Sequence, residues 1–325
     1  MATSGSFAPI LVTGAAGFIG SRFVESCNRL GIAVISVDHI EQFTQRTEHA
    51  GIKFGKTIDC GKVLEWLDES RPRLTAIIHM GAITSTTEMN RELLNKVNVE
   101  LSKSLWKHCT QESIPFIYAS SAATYGDGAL GYDDDEKQMA KLQPLNPYGE
   151  SKKTFDLWAL EENRAGRRPP VWSGHKFFNV YGLGESHKGS QASVVLHAYD
   201  QIRKKGSVRL FKSHRAGIAD GHQKRDFVSV DDVVKVLHFA LKHPLPQGIY
   251  NLGTGKARTF LELTQAVFKA MGAPEKIEFI DTPVEIRERY QYFTEAKMDK
   301  LRTCGYQEPF ASLEEGVKQY IGLLK

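Results

Sequence analysis

A chain of 325 residues, 41% apolar and 25% charged, can bury a large core and has the makeup of an ordinary soluble globular protein, built as one large domain or two closely joined ones. Its net charge of +4 is mild, and its lysines and arginines are dispersed without polybasic tracts or aromatic–basic interleaving, which argues against a nucleic-acid partner. No run of about 18 apolar residues occurs, so no membrane span is expected, and the short uncharged start Met1 to Ser6 does not read as a secretory signal. The four cysteines, Cys27, Cys60, Cys109 and Cys304, show neither metal-ligand spacing nor a paired framework. No metal is expected, and free, buried thiols in a reducing cytoplasm are.

The first predicted strand, Ile10 to Thr13, runs into Gly14-Ala15-Ala16-Gly17-Phe18-Ile19-Gly20, followed by an amphipathic stretch from Phe18 to Leu30. Strand, glycine turn and helix in that order let backbone N–H groups approach a pyrophosphate at the positive end of the helix. The spacing is G-x-x-G-x-x-G, not the G-x-G-x-x-G of the usual dinucleotide fingerprint. A second strand, Ala33 to Val37, ends at Asp38, where an acidic residue would meet the adenosine ribose. Further strands are expected at 53–58, 76–79, 115–119 and 171–177, with helices over 90–109 and 147–163. Such alternation predicts an α/β fold, a doubly wound parallel Rossmann-type sheet with right-handed crossovers.

After Tyr181 the pattern changes: a loop over 182–190, a helix over 191–205 and a polar loop over 212–224. Strand character returns at 225–228, followed by a helix at 231–242, a strand at 248–252, a helix at 259–271 and a charged C-terminal region. This reads as a dinucleotide-binding domain over 1–180, to which 226–255 returns. A smaller, discontinuous substrate-binding domain is expected from 181–225 and 256–325.

Chemistry enters at Tyr148 and Lys152, four positions apart on the predicted helix and so on one face. An ammonium beside the phenol is expected to favour its ionisation, letting a tyrosine of ordinary pKa about 10 exchange a proton near neutral pH. Ser120-Ser121 closes the strand before them.

Together the glycine turn, Asp38, Ser120-Ser121 and Tyr148/Lys152 resemble the extended short-chain dehydrogenase/reductases over essentially the whole chain. Within that superfamily the chain is most similar to the ADP-L-glycero-D-manno-heptose 6-epimerase family. The segments that carry the likeness are residues 118–126, 145–152, 177–182, 187–193, 224–228 and 289–294, with His187-Lys188-Gly189-Ser190 and Thr84-Ser85-Thr86-Thr87-Glu88 the most specific. The resemblance implies redox epimerisation of a nucleotide sugar at C6 of a heptose, through a transient ketone that takes hydride back on its other face. Such chemistry supplies the heptose of lipopolysaccharide cores.

Two acid–base groups are then needed, and the resemblance makes them Tyr148 and Lys188. It makes Ser121 the partner of the reacting oxygen, and Lys152 the holder of the nicotinamide ribose. Cofactor contacts would come from Gly14, Gly17, Phe18, Ile19, Gly20, Asp38, His39, Asp59, Met80, Gly81, Ala82, Asn98, Tyr148, Lys152 and Val180. Substrate contacts would come from Thr84, Ser121, Asn179, Ser190, His197, Phe211, Arg225 and Tyr290, with a guanidinium fork suited to a diphosphate. A homo-oligomer is implied, a homopentamer on the family's habit.

Two departures bear on specificity. The family's Gly-Pro-Arg-Glu reads Gly182-Leu183-Gly184-Glu185 here, and extra residues follow Phe211. Both lie on the substrate side, so the substrate nucleotide stays open. Asp38 favours NAD, whereas His39 or Arg46 could accept the 2′-phosphate of NADP, which the family uses. A UDP-hexose 4-epimerase is the alternative, since it needs the tyrosine and serine but no base at Lys188. A 4,6-dehydratase would place an acidic pair where Ala122-Ala123-Thr124 stands, and a cofactor-binding regulator would have no use for Tyr148.

Overall fold

The computed structural model describes residues 8–287 and 290–325; the start Met1 to Ser6 and Arg289 of the 289–294 segment lie outside the described residues. The strands run β1 (Ile10–Thr13), β2 (Val34–Asp38), β3 (Lys56–Asp59), β4 (Ala76–His79), β5 (Phe116–Ser121) and β6 (Trp172–Phe177). They continue with β7 (Asn179–Tyr181), β8 (Val208–Phe211), β9 (Lys224–Ser229), β10 (Gly248–Leu252), β11 (Ala257–Thr259) and β12 (Ile277–Ile280).

Seven of them form one parallel sheet in the order β10-β6-β5-β4-β1-β2-β3. Its central strands are near-continuous apolar runs because both faces are covered: Leu11, Val12, Ile77 and Ile78 are fully buried. The helix Phe18–Arg29 packs on Val230–Lys242, and Leu101–Gln111 packs on Pro147–Arg164. Strand order reverses between β1 and β4, so a crevice opens at their C-terminal ends, where α/β sheets bind ligands.

The remaining strands form two small sheets, β11-β9-β7 and β12-β8. A second buried cluster lies beside them, where Val195, Tyr199, Leu263, Val267, Val317 and Ile321 meet from the helices Val194–Lys205, Phe260–Met271 and Leu313–Leu324.

Several elements differ from the sequence expectation. The helix expected over 90–109 is broken by a π turn, Asn95–Glu100, between Arg91–Leu94 and Leu101–Gln111. The strand expected at 225–228 is β9, which pairs with β7 and β11 and not with the large sheet. The loop expected over 182–190 contains a short helical turn, Ser186–Gln191, and the next helix starts only at Val194, capped by the Ser193 hydroxyl. β12 and the C-terminal helix Leu313–Leu324 lie in the region whose sequence shows only charge. All four cysteines are free, but only Cys27 and Cys109 are buried.

Candidate active site

The crevice is a cavity of about 750 Å³. Gly14, Gly17, Phe18, Ile19 and Gly20 form one wall, and Met80, Gly81 and Ala82 face them from the end of β4. Glycine is required at two of these positions. Gly14 has φ +65°, and a Cβ there would lie 2.6 Å from the Gly81 nitrogen; a Cβ on Gly20 would lie 2.0 Å from the Gly14 oxygen. Gly17 begins the helix Phe18–Arg29 without any side-chain cap, which leaves first-turn N–H groups for a ligand. This cradle fits a dinucleotide pyrophosphate.

A buried hydrogen-bond chain fixes the opposite wall. Gly81 N donates to Thr13 Oγ1 (3.1 Å), which lies 2.7 Å from His79 Nδ1; His79 Nε2 lies 2.8 Å from Ser102 Oγ, which donates to the Asn98 carbonyl (2.7 Å). Because the Ser102 hydroxyl donates onward, Nε2 carries the imidazole proton. Burial, with Lys152 adding to it, pushes His79 down to about 3, so the ring is neutral. Asn98 does not line the cavity; its side chain brackets Ile83, accepting from Ile83 N (2.8 Å) and donating to Ile83 O (3.0 Å). The π turn carries this asparagine, a frequent place for such turns.

At the far end of β2, both Asp38 oxygens accept backbone N–H groups, from Ala16 at 3.0 Å and from His39 at 2.9 Å. Asp38, His39 and Arg46 all line the cavity. The Arg46 guanidinium donates to the Ala16 carbonyl and to Gln42 Oε1 (2.6 Å). Asp59 does not line the cavity: its carboxylate accepts from Gly61 N at 2.9 Å, and Cys60 and Gly61 form the wall instead.

Ser121 ends β5, and Tyr148 and Lys152 lie one turn apart near the start of the helix Pro147–Arg164, which the Asn146 side chain caps. All three line the cavity. The two helical side chains are 8% and 5% exposed, and this reverses the expected ionisation. Burial raises the Tyr148 phenol above its ordinary value, opposed by a hydrogen bond with Ser121. Burial likewise lowers Lys152 to about 8, opposed by Asp156. The ammonium donates to the Ala119 carbonyl at 3.0 Å.

Beneath them lies a cluster absent from the sequence reading. Asp156 accepts from Tyr118 OH (3.0 Å), Ser120 Oγ (2.7 Å) and Lys176 Nζ (2.5 Å). Lys176 also donates to Thr124 Oγ1 (2.7 Å), which donates to the Ser121 carbonyl (2.8 Å). Two signals point to it: Asp156 stands four residues after Lys152, and Lys176 puts a charge into a strand that is buried along its whole length.

Lys188 enters from the Ser186–Gln191 turn, with its ammonium 5.5 Å from the Phe18 ring centre, and it lines the cavity together with Val180 and Thr84. Burial lowers its pKa, with Glu185 opposing. Apart from Thr84 and Ser121, the expected substrate contacts do not line the cavity. Phe211, Arg225 and Tyr290 gather separately: the Tyr290 ring is 6.4 Å from Phe211 and 5.5 Å from the Arg225 guanidinium, which also stacks on Phe260 at 5.5 Å. Arg225 donates to the carbonyls of Lys224 (2.8 Å) and Gln291, so part of its fork is committed to the backbone. Asn179 and Ser190 are exposed, and His197 is half-buried in the first turn of Val194–Lys205.

The model of the NAD dependent epimerase/dehydratase family matches residues 10–253, covering both the glycine turn and the Tyr148/Lys152 pair. The chain belongs to that family. It is 46% identical over 323 residues to an ADP-L-glycero-D-manno-heptose-6-epimerase of Fusobacterium nucleatum, and 43% identical over 314 residues to one of Nitratidesulfovibrio vulgaris, with 96% of each chain covered in both cases. Among solved structures, the Helicobacter pylori ADP-L-glycero-D-manno-heptose-6-epimerase superimposes with a TM-score of 0.81 at 27% identity, covering 98% of this chain and 96% of that one. The Thermus thermophilus UDP-glucose 4-epimerase in complex with NAD gives 0.76 at 26%, covering 97% and 98%. This family member is thus a nicotinamide-dependent nucleotide-sugar epimerase on a Rossmann-like sheet. No helix among the described residues is long and apolar enough to cross a membrane.

Proposed function

We propose that the protein interconverts the C6 epimers of ADP-glycero-manno-heptose by transient oxidation and hydride return. The observation that carries this reading is the meeting of Tyr148 and Lys188 in one cavity, from elements far apart in sequence, at the sugar end of a dinucleotide cradle. Hydride leaves C6 and returns to its other face, so the carbonyl oxygen must meet a proton-transfer group in each of two orientations, and the half-buried Lys188 serves that need beside Tyr148.

Bound NAD(P) supplies the hydride acceptor and donor. Gly14, Gly17 and the first-turn N–H groups hold its pyrophosphate, and the segment from Met80 to Ala82 lies alongside. Lys152 holds the nicotinamide ribose, Ser121 hydrogen-bonds the reacting oxygen, and Tyr148 and Lys188 move the protons. Arg46 beside Asp38 supports NADP as the preferred form, because a guanidinium there offsets the carboxylate toward a 2′-phosphate.

The pieces 181–225 and 256–325 seat the nucleotide. Arg225, stacked between Phe260 and Tyr290, is the diphosphate contact, with Phe211 at the base, and Asn179, Ser190, His197 and Thr84 complete the substrate side. Four free cysteines support a reducing, cytoplasmic setting. Homo-oligomeric assembly belongs to the same proposal and is read by light scattering.

The test is incubation of purified protein with ADP-D-glycero-D-manno-heptose. The L-glycero epimer should form without net reduced cofactor. Stoichiometric NAD(P)H with an oxidised sugar, or turnover of UDP-glucose alone, would overturn the reading.

A further inference from the structure

The turn that carries Lys188 is tied to the rest of the chain at its base and at its tip. At the base is Glu185, fully buried, whose carboxylate accepts from Gly182 N (3.2 Å), Ser193 N (2.6 Å) and Ser193 Oγ (2.6 Å). At the tip, one oxygen of Glu48 does two things. It lies 2.8 Å from His187 Nδ1 and accepts the His187 backbone N–H at 3.3 Å. Between these ties the turn has little packing: Ser186, Gly189 and Ser190 are exposed, and Gly189 sits at φ 53°.

The anchor belongs to the opposite wall. Glu48 lies in the short turn Thr47–His49, whose buried His49 packs edge-on against Phe54 at 5.0 Å. Its carbonyl accepts from Arg22 at 3.3 Å, and Arg46 just before it lines the ribose end of the cavity. The Glu48 and His187 side chains are 11% and 20% exposed, so this charge-assisted contact is shielded better than an open surface pair.

The geometry points to Glu48 and His187 as positioning residues that clamp Lys188 into the cavity, an inference that rests on reading Lys188 as the second acid–base group. Lys188 follows His187 directly, so the carboxylate that fixes the backbone and ring of residue 187 sets where the next ammonium can reach. Without it the turn keeps only its Glu185 base, and a displacement of about 1 Å at a reacting group can cost on the order of 10²-fold in rate. The clamp also joins the ribose wall to the sugar wall, so the two ends of the cavity hold one shape.

The test is a double-mutant cycle on the full chain with cofactor bound: wild type, Glu48→Ala, Lys188→Met and the double variant, assayed for C6 epimerisation. Glu48→Ala should lower kcat by about 10- to 100-fold with KM and melting temperature little changed. Glu48→Gln should recover most of the rate, because its amide oxygen still accepts. Once Lys188 is replaced, removing Glu48 should cost nothing more, since it acts through that lysine. His187→Ala should repeat the loss, and serves if Glu48→Ala does not fold. Wild-type rates in both Glu48→Ala and His187→Ala, or fully multiplicative losses in the double variant, would overturn the clamp while leaving a slow Lys188→Met intact. Lys188→Met at the wild-type rate would instead sink the reading of Lys188 itself, and the clamp with it.

Discussion

Replacing Asp156 by asparagine should damage both the fold and the titration of the site. The Asp156–Lys176 pair is enclosed, with side chains 2% and 1% exposed. Asp156→Asn would leave the Lys176 ammonium without a counter-charge, while the new amide oxygen could still accept from Tyr118 or Ser120. Breaking a buried pair from one side costs about 3–5 kcal/mol. At about 2.1 cal/mol/K per residue, unfolding 325 residues carries roughly 0.7 kcal/mol/K, so the melting temperature should fall by about 4–7 °C. The double variant Asp156→Asn/Lys176→Met removes both charges and should regain most of that loss. The titration has a definite sign. Asp156 is the group that opposes burial at Lys152, whose pKa is about 8, so its removal lowers that pKa further. If charged Lys152 is needed for turnover, the alkaline fall in kcat/KM, which reports the free enzyme's groups, should move to lower pH in the variant. Thermal melts and a kcat/KM–pH profile read the two effects. A variant with wild-type melting temperature and an unmoved alkaline limb would refute the reasoning.

Tyr148→Phe and Lys188→Met should each lower C6 epimerisation by about 10²- to 10⁴-fold while cofactor stays bound, since neither builds the pyrophosphate cradle; cofactor content and product ratio check this. Arg46→Ala should weaken NADP binding far more than NAD binding, and equal losses in titrations with both would remove Arg46 as the phosphate reader. Stability should fall as pH drops below about 6.5, because the fully buried His79 and His175 are held at about 3 and about 4, and only the unfolded chain then takes up their protons. Each contributes a slope of about 1.4 kcal/mol per pH unit between its unfolded and folded values. Urea midpoints at pH 7 and pH 5 test this, and His79→Asn should flatten the dependence.

What can be read in the sequence is what local spacing encodes. The glycine turn, its flanking strand and helix, and Tyr148 with Lys152 each lie within one supersecondary unit, so their geometry follows from helix and strand periods. The Ser312-x-x-Glu315 capping box is equally local, and it starts the last helix within a region whose composition suggests only charge. The Glu48–His187 contact joins a turn after β2 to a turn after β7, which only the tertiary fold brings together, whereas the Asp156–Lys176 pair joins a helix to the strand that follows it. The expected ionisation of Tyr148 fails for a related reason. Spacing shows which charge is near a phenol but not how much water has been removed, and at 8% exposure burial raises the phenol with the Ser121 hydrogen bond opposing it.

That reversal bears on how the proposed reaction divides its labour. Burial acts on all three groups in the same chemical sense, toward their uncharged forms: it raises the Tyr148 phenol and lowers the Lys152 and Lys188 ammoniums. A neutral phenol is a proton donor, and an amine drawn toward neutrality is a proton acceptor. Placed on opposite faces of the same carbon, Tyr148 would protonate the oxygen as hydride returns on one face, and Lys188 would take the hydroxyl proton as hydride leaves on the other. In the reverse direction the two exchange roles, so the enzyme needs each group poised between its forms, neither fully charged nor fully neutral. Ser121 at the phenol and Glu185 at the lysine both pull against burial without reversing its direction. Glu185 is also the base of the turn that carries Lys188, so one buried carboxylate both places this amine and holds part of its charge.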